Sequence, residues 1–192
     1  MAKILILSSG LRHADEMIMP LIEHLKAYLI GGSEFVDVRP SDTLRASSFA
    51  QYDKVIFAYP IALDTIPSSL LDIFKDLEAV PCKKADIYVL SCCDEYEPHH
   101  CQHSDRVVMN WCKSNHLSYR GSLNVGALYV MSQNVNQLVL YSYLKKMAVA
   151  ILKDQDIDLE VTVFSLNSFM KNANRYWEKE IEKTIKKERK EH

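Results

Sequence analysis

Residues Lys3–Asp15 read KILILSSGLRHAD, and the change of character inside this stretch decides the fold. KILIL is short, branched and apolar without alternation, the pattern of a strand buried on both faces of a parallel sheet. SSGLRHAD follows at once with two hydroxyls, a glycine, an arginine and a histidine, where such a strand turns into a helix. Turns of this kind, at the carboxyl ends of strands in open α/β sheets, are where anionic ligands sit.

Working outward, Ile18, Leu21, Ile22, Leu25 and Leu29 recur at helical spacing from Asp15 on. Pro20 requires that this helix bend there or that its regular part begin there. GGS at 31–33 ends it, EFVDV at 34–38 reads as a second strand, and 39–53 reads as a loop with a short helix. KVIFAYP (54–60) is a third strand. The helix after it, within 68–80, is capped by Ser68 or Ser69 and buries Leu70, Leu71, Phe74 and Leu77. ADIYVLS (85–91) is a fourth strand. A helix from about Ser104 to Asn115 carries Val107, Val108, Trp111 and Cys112, and a fifth strand lies within 117–131, broken by Gly121 and Gly126.

Two long helices, about 135–153 and 169–190, close the chain. The last shows the stripe Phe169, Ala173, Trp177, Ile181 and Ile185, expected to pack one face on a core. Strand and helix alternating five times imply a five-stranded parallel sheet between helices, a three-layer α/β/α sandwich forming one domain over 1–192.

The 192 residues, 48% hydrophobic and 25% charged, suffice for one compact soluble domain. A net charge of −2 excludes a strong bias toward nucleic acid or anionic membrane, and the basic KKERKEH ending suits a solvated helix C-terminus. No apolar run is long enough for a membrane span, and the start lacks a convincing cleavage segment, so a cytoplasmic location is expected. Five cysteines form no paired framework. Cys92, Cys93, His99, His100, Cys101 and His103 cluster in sequence, but at spacings wrong for a closed zinc module. Neither H-E-x-x-H nor a G-x-S-x-G elbow is present, and no histidine is tied by spacing to Cys92 or Cys93 as a nucleophile's base.

Right-handed crossovers bring three polar loops, 8–15, 60–66 and 91–103, to one sheet edge. In the first, Ser8, Ser9, Gly10, Leu11, Arg12 and His13 offer hydroxyls, amides and positive charge suited to a phosphate monoester. The lysine-serine ending of a nucleotide P-loop and the G-x-G-x-x-G turn are both absent. SSG after a strand is equally an ordinary way to open a helix. In the second loop, Pro60, Ile61, Ala62, Leu63 and Asp64 form a proline-bracketed path against which a flat heterocycle fits, or which simply covers core. The third begins Ser91, Cys92, Cys93 and Asp94, and its Tyr96 is placed to cover a ring's other face.

Together these landmarks resemble the flavodoxin-like NAD(P)H-dependent FMN reductases, including multimeric flavodoxin-like oxidoreductases, over nearly the whole chain. Ser8–Arg12 stand where that family has its phosphate loop. Asp53, Val55, Phe57 and Pro60 match its second strand-and-loop motif, with Pro67 before the next helix, and Tyr119, Gly121 and Gly126 match a later strand. Asn174 and Trp177 match its terminal helix.

The resemblance implies a flavodoxin-like sandwich and FMN, with phosphate on Ser9, Arg12 and His13, the ring against Pro60–Asp64, and Ser91–Asp94 flanking it. It further implies NADH or NADPH as reductant and a quinone, an azo or nitro compound or free flavin as small-molecule acceptor. No catalytic side chain and no metal are implied, and a homodimer or higher homo-oligomer is. The alternative is a non-catalytic flavodoxin-fold binding protein, or an electron carrier. The chain departs from the family at Leu71, Lys75 and Asp76, where a lysine and an aspartate-arginine pair are usual. It also lacks an aromatic at Ala62 or Leu63 and glycines in the third loop.

Overall fold

The computed structural model describes residues 2–9, 12–29, 33–37, 49–61, 64–78, 85–128, 137–162 and 164–191. Parallel strands β1 (Ile4–Ser8), β2 (Ser33–Asp37), β3 (Lys54–Pro60), β4 (Asp86–Cys92) and β5 (Ser118–Val125) appear as expected. They stand in the order β2-β1-β3-β4-β5. A sixth strand, β6 (Ile157–Val161), extends the sheet beyond β5, in register from Gly121↔Ile157 to Val125↔Val161. It lies between the two terminal helices, in a segment for which the sequence reading gave no element.

The helices are α1 (Arg12–Tyr28), α2 (Ser68–Glu78), α3 (Gln102–Ser114), α4 (Gln137–Leu152) and α5 (Leu166–Glu191), with a 3-10 turn at Pro98–Cys101. Pro20 lies inside α1 at an exposed position, because the helix begins eight residues before it. The short helix expected within 39–53 falls mostly outside the described residues; of that stretch only 49–53 are seen.

β1 and β3 are buried along their whole length, as a central parallel strand requires. Their alternate side chains feed two cores. On one face Leu5, Leu7, Val55, Phe57, Ile87 and Val89 meet Leu70, Phe74 and Leu77 of α2 and Val108 and Trp111 of α3. Phe74 stacks on Trp111 at 4.2 Å between ring centroids, and Phe57 meets both rings edge-on. On the other face Ile4, Ile6, Ile56, Leu90 and Leu123 meet Ile18, Ile22 and Leu25 of α1 and Leu144, Met147 and Ile151 of α4. This is the three-layer sandwich, α1 and α4 below and α2 and α3 above.

Two helix C-termini are closed locally. His116 (φ 56°) and Asp154 (φ 55°) take left-handed conformations just past α3 and α4. The buried Lys54 ammonium, at the start of β3, lies 2.6 Å from Asp154 and donates to the Ile151 carbonyl, tying the end of α4 to the sheet.

The last helix departs from expectation. Ala173 is buried, but Trp177, Ile181 and Ile185 are 57%, 58% and 43% exposed. The stripe is real and amphipathic, yet most of it does not face this chain's core. The helix start is anchored: Ser165 Oγ accepts from the Ser168 amide, and Phe169 packs against Tyr96.

Candidate functional site

β1 and β3 are adjacent, but the helices that follow them lie on opposite faces, α1 with one core and α2 with the other. Between such diverging connections an open sheet leaves a crevice at its carboxyl edge. The turns after β1, β3 and β4 all open there, because the strands are parallel.

The first turn is stapled on both sides. The Ser9 amide donates to the Ala58 carbonyl at 3.1 Å, and Ser9 Oγ lies 2.5 Å from Ser69 Oγ in the first turn of α2. Ser8 is 1% exposed and its Oγ has no hydrogen-bond partner among the described residues. A buried hydroxyl is ordinarily satisfied, so Ser8 Oγ, at the end of β1 beside the entry to α1, stands out among the described residues. Gly10 and Leu11 lie outside the described residues. Arg12 and His13 occupy the first turn of α1, where backbone amides are not consumed by the helix; their side chains also lie outside the description.

In the second turn, Pro60 and Ile61 are buried, and the Ile61 amide donates to the Cys92 carbonyl at 2.7 Å. Ala62 and Leu63 lie outside the described residues. Asp64 adopts φ 58°, and its Oδ1 is 2.8 Å from His100 Nδ1, so an ion pair or hydrogen bond joins the second turn to the third.

The third turn is more closed than its sequence suggests. Ser91, Cys92 and Cys93 are completely buried. Cys92 points into the α1/α4 core and Cys93 into the α2/α3 core, as successive strand residues must. Ser91 Oγ donates to Asn124 Oδ1 at 2.9 Å, whereas Asp94 is exposed. Tyr96 does not cover a ring site: its hydroxyl donates to the Phe164 carbonyl and its ring packs on Phe169. Contact with Cys101 together with burial pushes the Cys93 thiol far up, and burial does the same for Cys92. Both are neutral thiols, so neither is an activated nucleophile.

Sequence reading missed a polar network behind this turn. Asp105 Oδ2 accepts from Ser122 Oγ at 2.7 Å and from Asn124 Nδ2 at 2.8 Å, and Asn124 in turn accepts from Ser91. Burial raises the Asp105 carboxyl above its ordinary range, against the two hydrogen bonds. The available signal was its position: Asp105 falls on the same helix face as Val108, Trp111 and Cys112, where a charge is out of place.

No protein-family model matches the sequence, and no curated protein matches it. Solved structures do match. Flavodoxin 2 from Bacillus cereus, in its oxidised form, is similar with a TM-score of 0.59 at 17% identity, over 80% of this chain and 99% of that one. An apo NADH:FMN oxidoreductase is similar with a TM-score of 0.59 at 13% identity, over 80% and 90%. The fold is flavodoxin-like. The flavodoxin-like chain also matches the rubredoxin oxygen:oxidoreductase of Desulfovibrio gigas, with a TM-score of 0.56 at 14% identity, over 79% of its own length but only 35% of that protein's. In this fold the β1/β3 junction is the ligand crevice, and here it is the junction at which Ser8, Ser9 and the start of α1 converge.

Proposed function

We propose that this protein is an FMN-dependent oxidoreductase that takes hydride from NADH or NADPH and passes electrons to a small-molecule acceptor, a quinone, an azo or nitro compound or free flavin. One observation carries the reading. The Ser8 hydroxyl, buried and without a partner among the described residues, and the Ser9 turn sit at the β1/β3 switch point, at the entry to α1. That donor set fits a phosphate monoester: hydroxyls, unconsumed amides of a helix N-terminus, and the Arg12 guanidinium supplied by the sequence.

On this reading Ser8, Ser9, Gly10, Leu11, Arg12 and His13 hold the phosphate. The backbone of Pro60–Asp64 carries the flat ring. Because Cys92 and Cys93 spend their side chains on the cores and Ser91 its hydroxyl on Asn124, the third turn contributes backbone and Asp94 rather than sulfur. The Asp64–His100 contact ties the second turn to the third, which supports a slot between them. Bound FMN supplies the hydride-accepting chemistry itself, and the protein's part is orientation, exclusion of water and local charge. No side chain acts as acid, base or nucleophile.

The test is reconstitution. Purified protein titrated with FMN gains a flavin absorption envelope and quenches flavin fluorescence, Arg12→Ala weakens uptake, and anaerobic NADH or NADPH bleaches the bound chromophore. Absence of uptake overturns the reading. Uptake without bleaching by either nicotinamide leaves an electron carrier in its place.

A further inference from the structure

Helix α5 runs out beyond the domain that carries it. In its first half Phe169 and Tyr176 are half-buried and Ala173 is buried, so one face rests on the chain's own domain. From Trp177 to Lys186 every side chain is exposed except half-buried Glu180. A helical segment of that length without tertiary packing is marginal in water, because helices in proteins draw most of their stability from a buried apolar face. Such a face is present. Leu166, Met170, Trp177, Ile181 and Ile185 fall on one side of α5, beside the face that meets the domain, and each keeps about half its surface in solvent. Tyr176 meets the Trp177 ring edge-on, at 5.3 Å between centroids.

The charges along one edge of this stripe are sorted into blocks. Lys171 and Arg175 come first, and Glu178 and Glu182 follow on the same edge, as spacings of three and four residues place them. Like charges four residues apart repel within a helix, so neither block serves the helix itself. Lys171, Arg175 and Glu178 form no ion pair among the described residues, and Glu182 reaches Lys186 only at 3.8 Å. Away from this edge the usual arrangement holds, with Glu180 and Lys183 at 2.6 Å.

The block order is its own complement under a twofold axis. With two copies of α5 antiparallel and the axis beside Trp177, Lys171 faces Glu182 of the second copy and Arg175 faces its Glu178. The same contacts recur across the axis, as a closed twofold interface requires. Trp177 then meets its own copy, and Ile181 and Ile185 run alongside Met170 and Leu166 of the second helix. A parallel pair in register would set each block against itself. A membrane surface suits the edge poorly, since helices that lie on lipid carry a polar face rich in Lys and Arg rather than paired glutamates. Size agrees as well. The five half-exposed side chains amount to about 500 Å² per chain and about 1,000 Å² per pair, and the charged edges bring this to the about 1,200–2,000 Å² of specific interfaces.

We propose that α5 is a dimerisation helix, pairing antiparallel with α5 of a second copy of this chain through the Leu166–Ile185 stripe, with Trp177 at the axis. The pairing does not depend on flavin binding.

Analytical ultracentrifugation of the full-length protein tests it, with circular dichroism to show that each variant is folded. The wild type is a dimer at about 50 µM. Trp177→Glu, at an exposed position, weakens dimerisation about thirtyfold or more, as loss of an aromatic anchor does. Glu178→Lys with Glu182→Lys makes the edge wholly basic, and Lys171→Glu with Arg175→Glu makes it wholly acidic. Each double variant alone dimerises about tenfold or more weaker than the wild type, and an equimolar mixture of the two regains the dimer, because opposite edges then meet. Wild-type protein that is still monomeric at about 500 µM overturns the proposal, since an interface of this area binds more tightly. A monomer that sediments with phosphatidylcholine–phosphatidylglycerol vesicles also overturns it and assigns the stripe to lipid. So does a dimer whose affinity survives Trp177→Glu, because the contact then lies elsewhere, and so does a mixture of the two double variants that stays monomeric.

Discussion

Replacing Gly121 with alanine tests the account of the sheet's outer edge at a single atom. Gly121 has φ 112°, a backbone region that L side chains rarely adopt, which alone costs about 1–3 kcal/mol for a residue with a Cβ. The added Cβ would also collide with the Ile157 carbonyl oxygen and carbon of β6. No flexible side chain can yield, because the obstacle is backbone. Relief requires β6 to move away at the pair Gly121↔Ile157, which begins the β5–β6 ladder. Weakening one or two ladder bonds costs about 0.5–1.5 kcal/mol each. The sum is a loss of about 1.5–6 kcal/mol, a large part of the about 5–15 kcal/mol that domains possess. Urea unfolding followed by far-ultraviolet circular dichroism measures it, as a lower midpoint at similar slope. A loss below about 1 kcal/mol would refute both the Gly121 backbone conformation and the placement of β6 against it, since neither term could then be present.

Gly126→Ala places a Cβ 2.5 Å from the Tyr96 carbonyl and 2.9 Å from Thr162 Oγ1, which itself donates to that carbonyl. The expected cost is about 1–3 kcal/mol of overpacking, with faster limited proteolysis at the turn into α5; unchanged cleavage would contradict it. Phe74→Ala removes the ring stacked on Trp111 and should cost about 3–5 kcal/mol in urea unfolding. Asp105→Ala strands the Ser122 hydroxyl and the Asn124 amide, a loss of about 1–3 kcal/mol for each donor left unsatisfied. Asp105→Asn should instead alter the pH profile. Because the folded carboxyl is raised above its usual 3.8, its favourable contribution is complete below that value and is lost as pH rises through the folded pKa. Relative to the asparagine variant, the wild type therefore loses stability as pH increases from about 4 toward neutrality. Parallel profiles in unfolding experiments would reject the burial of that charge.

How much of this was readable from residues alone depends on how many neighbours decide each position. β1, β3 and β4 are apolar on both faces, so their local pattern announces a central parallel strand whatever packs on them. β6 was overlooked although Ile157, Leu159 and Val161 alternate with Asp158 and Glu160; five residues between two long helices make a weak signal. The stripe on α5 gives helical periodicity correctly, but periodicity shows that one face is apolar and not which surface meets it. The same holds for Cys92 and Cys93. A loop rich in sulfur looks available in sequence, and only the strand's pleat shows that both thiols turn inward. The first turn is the converse case. SSG marks the β1 exit in the sequence, while the Ser9–Ser69 staple depends on α2, some sixty residues later.

The two tryptophans occupy opposite environments. Trp111 is 7% exposed and stacked within the α2/α3 core, whereas Trp177 on α5 is 57% exposed. Their emission therefore separates by wavelength: Trp111 fluoresces toward the blue and resists iodide, and Trp177 fluoresces toward the red and is quenched. Loss of core packing shifts the first without requiring a change in the second. Any surface that comes to cover α5 shifts the second toward the blue with the first unmoved. The chain thus carries two optical reporters, one for folding and one for whatever its last helix meets.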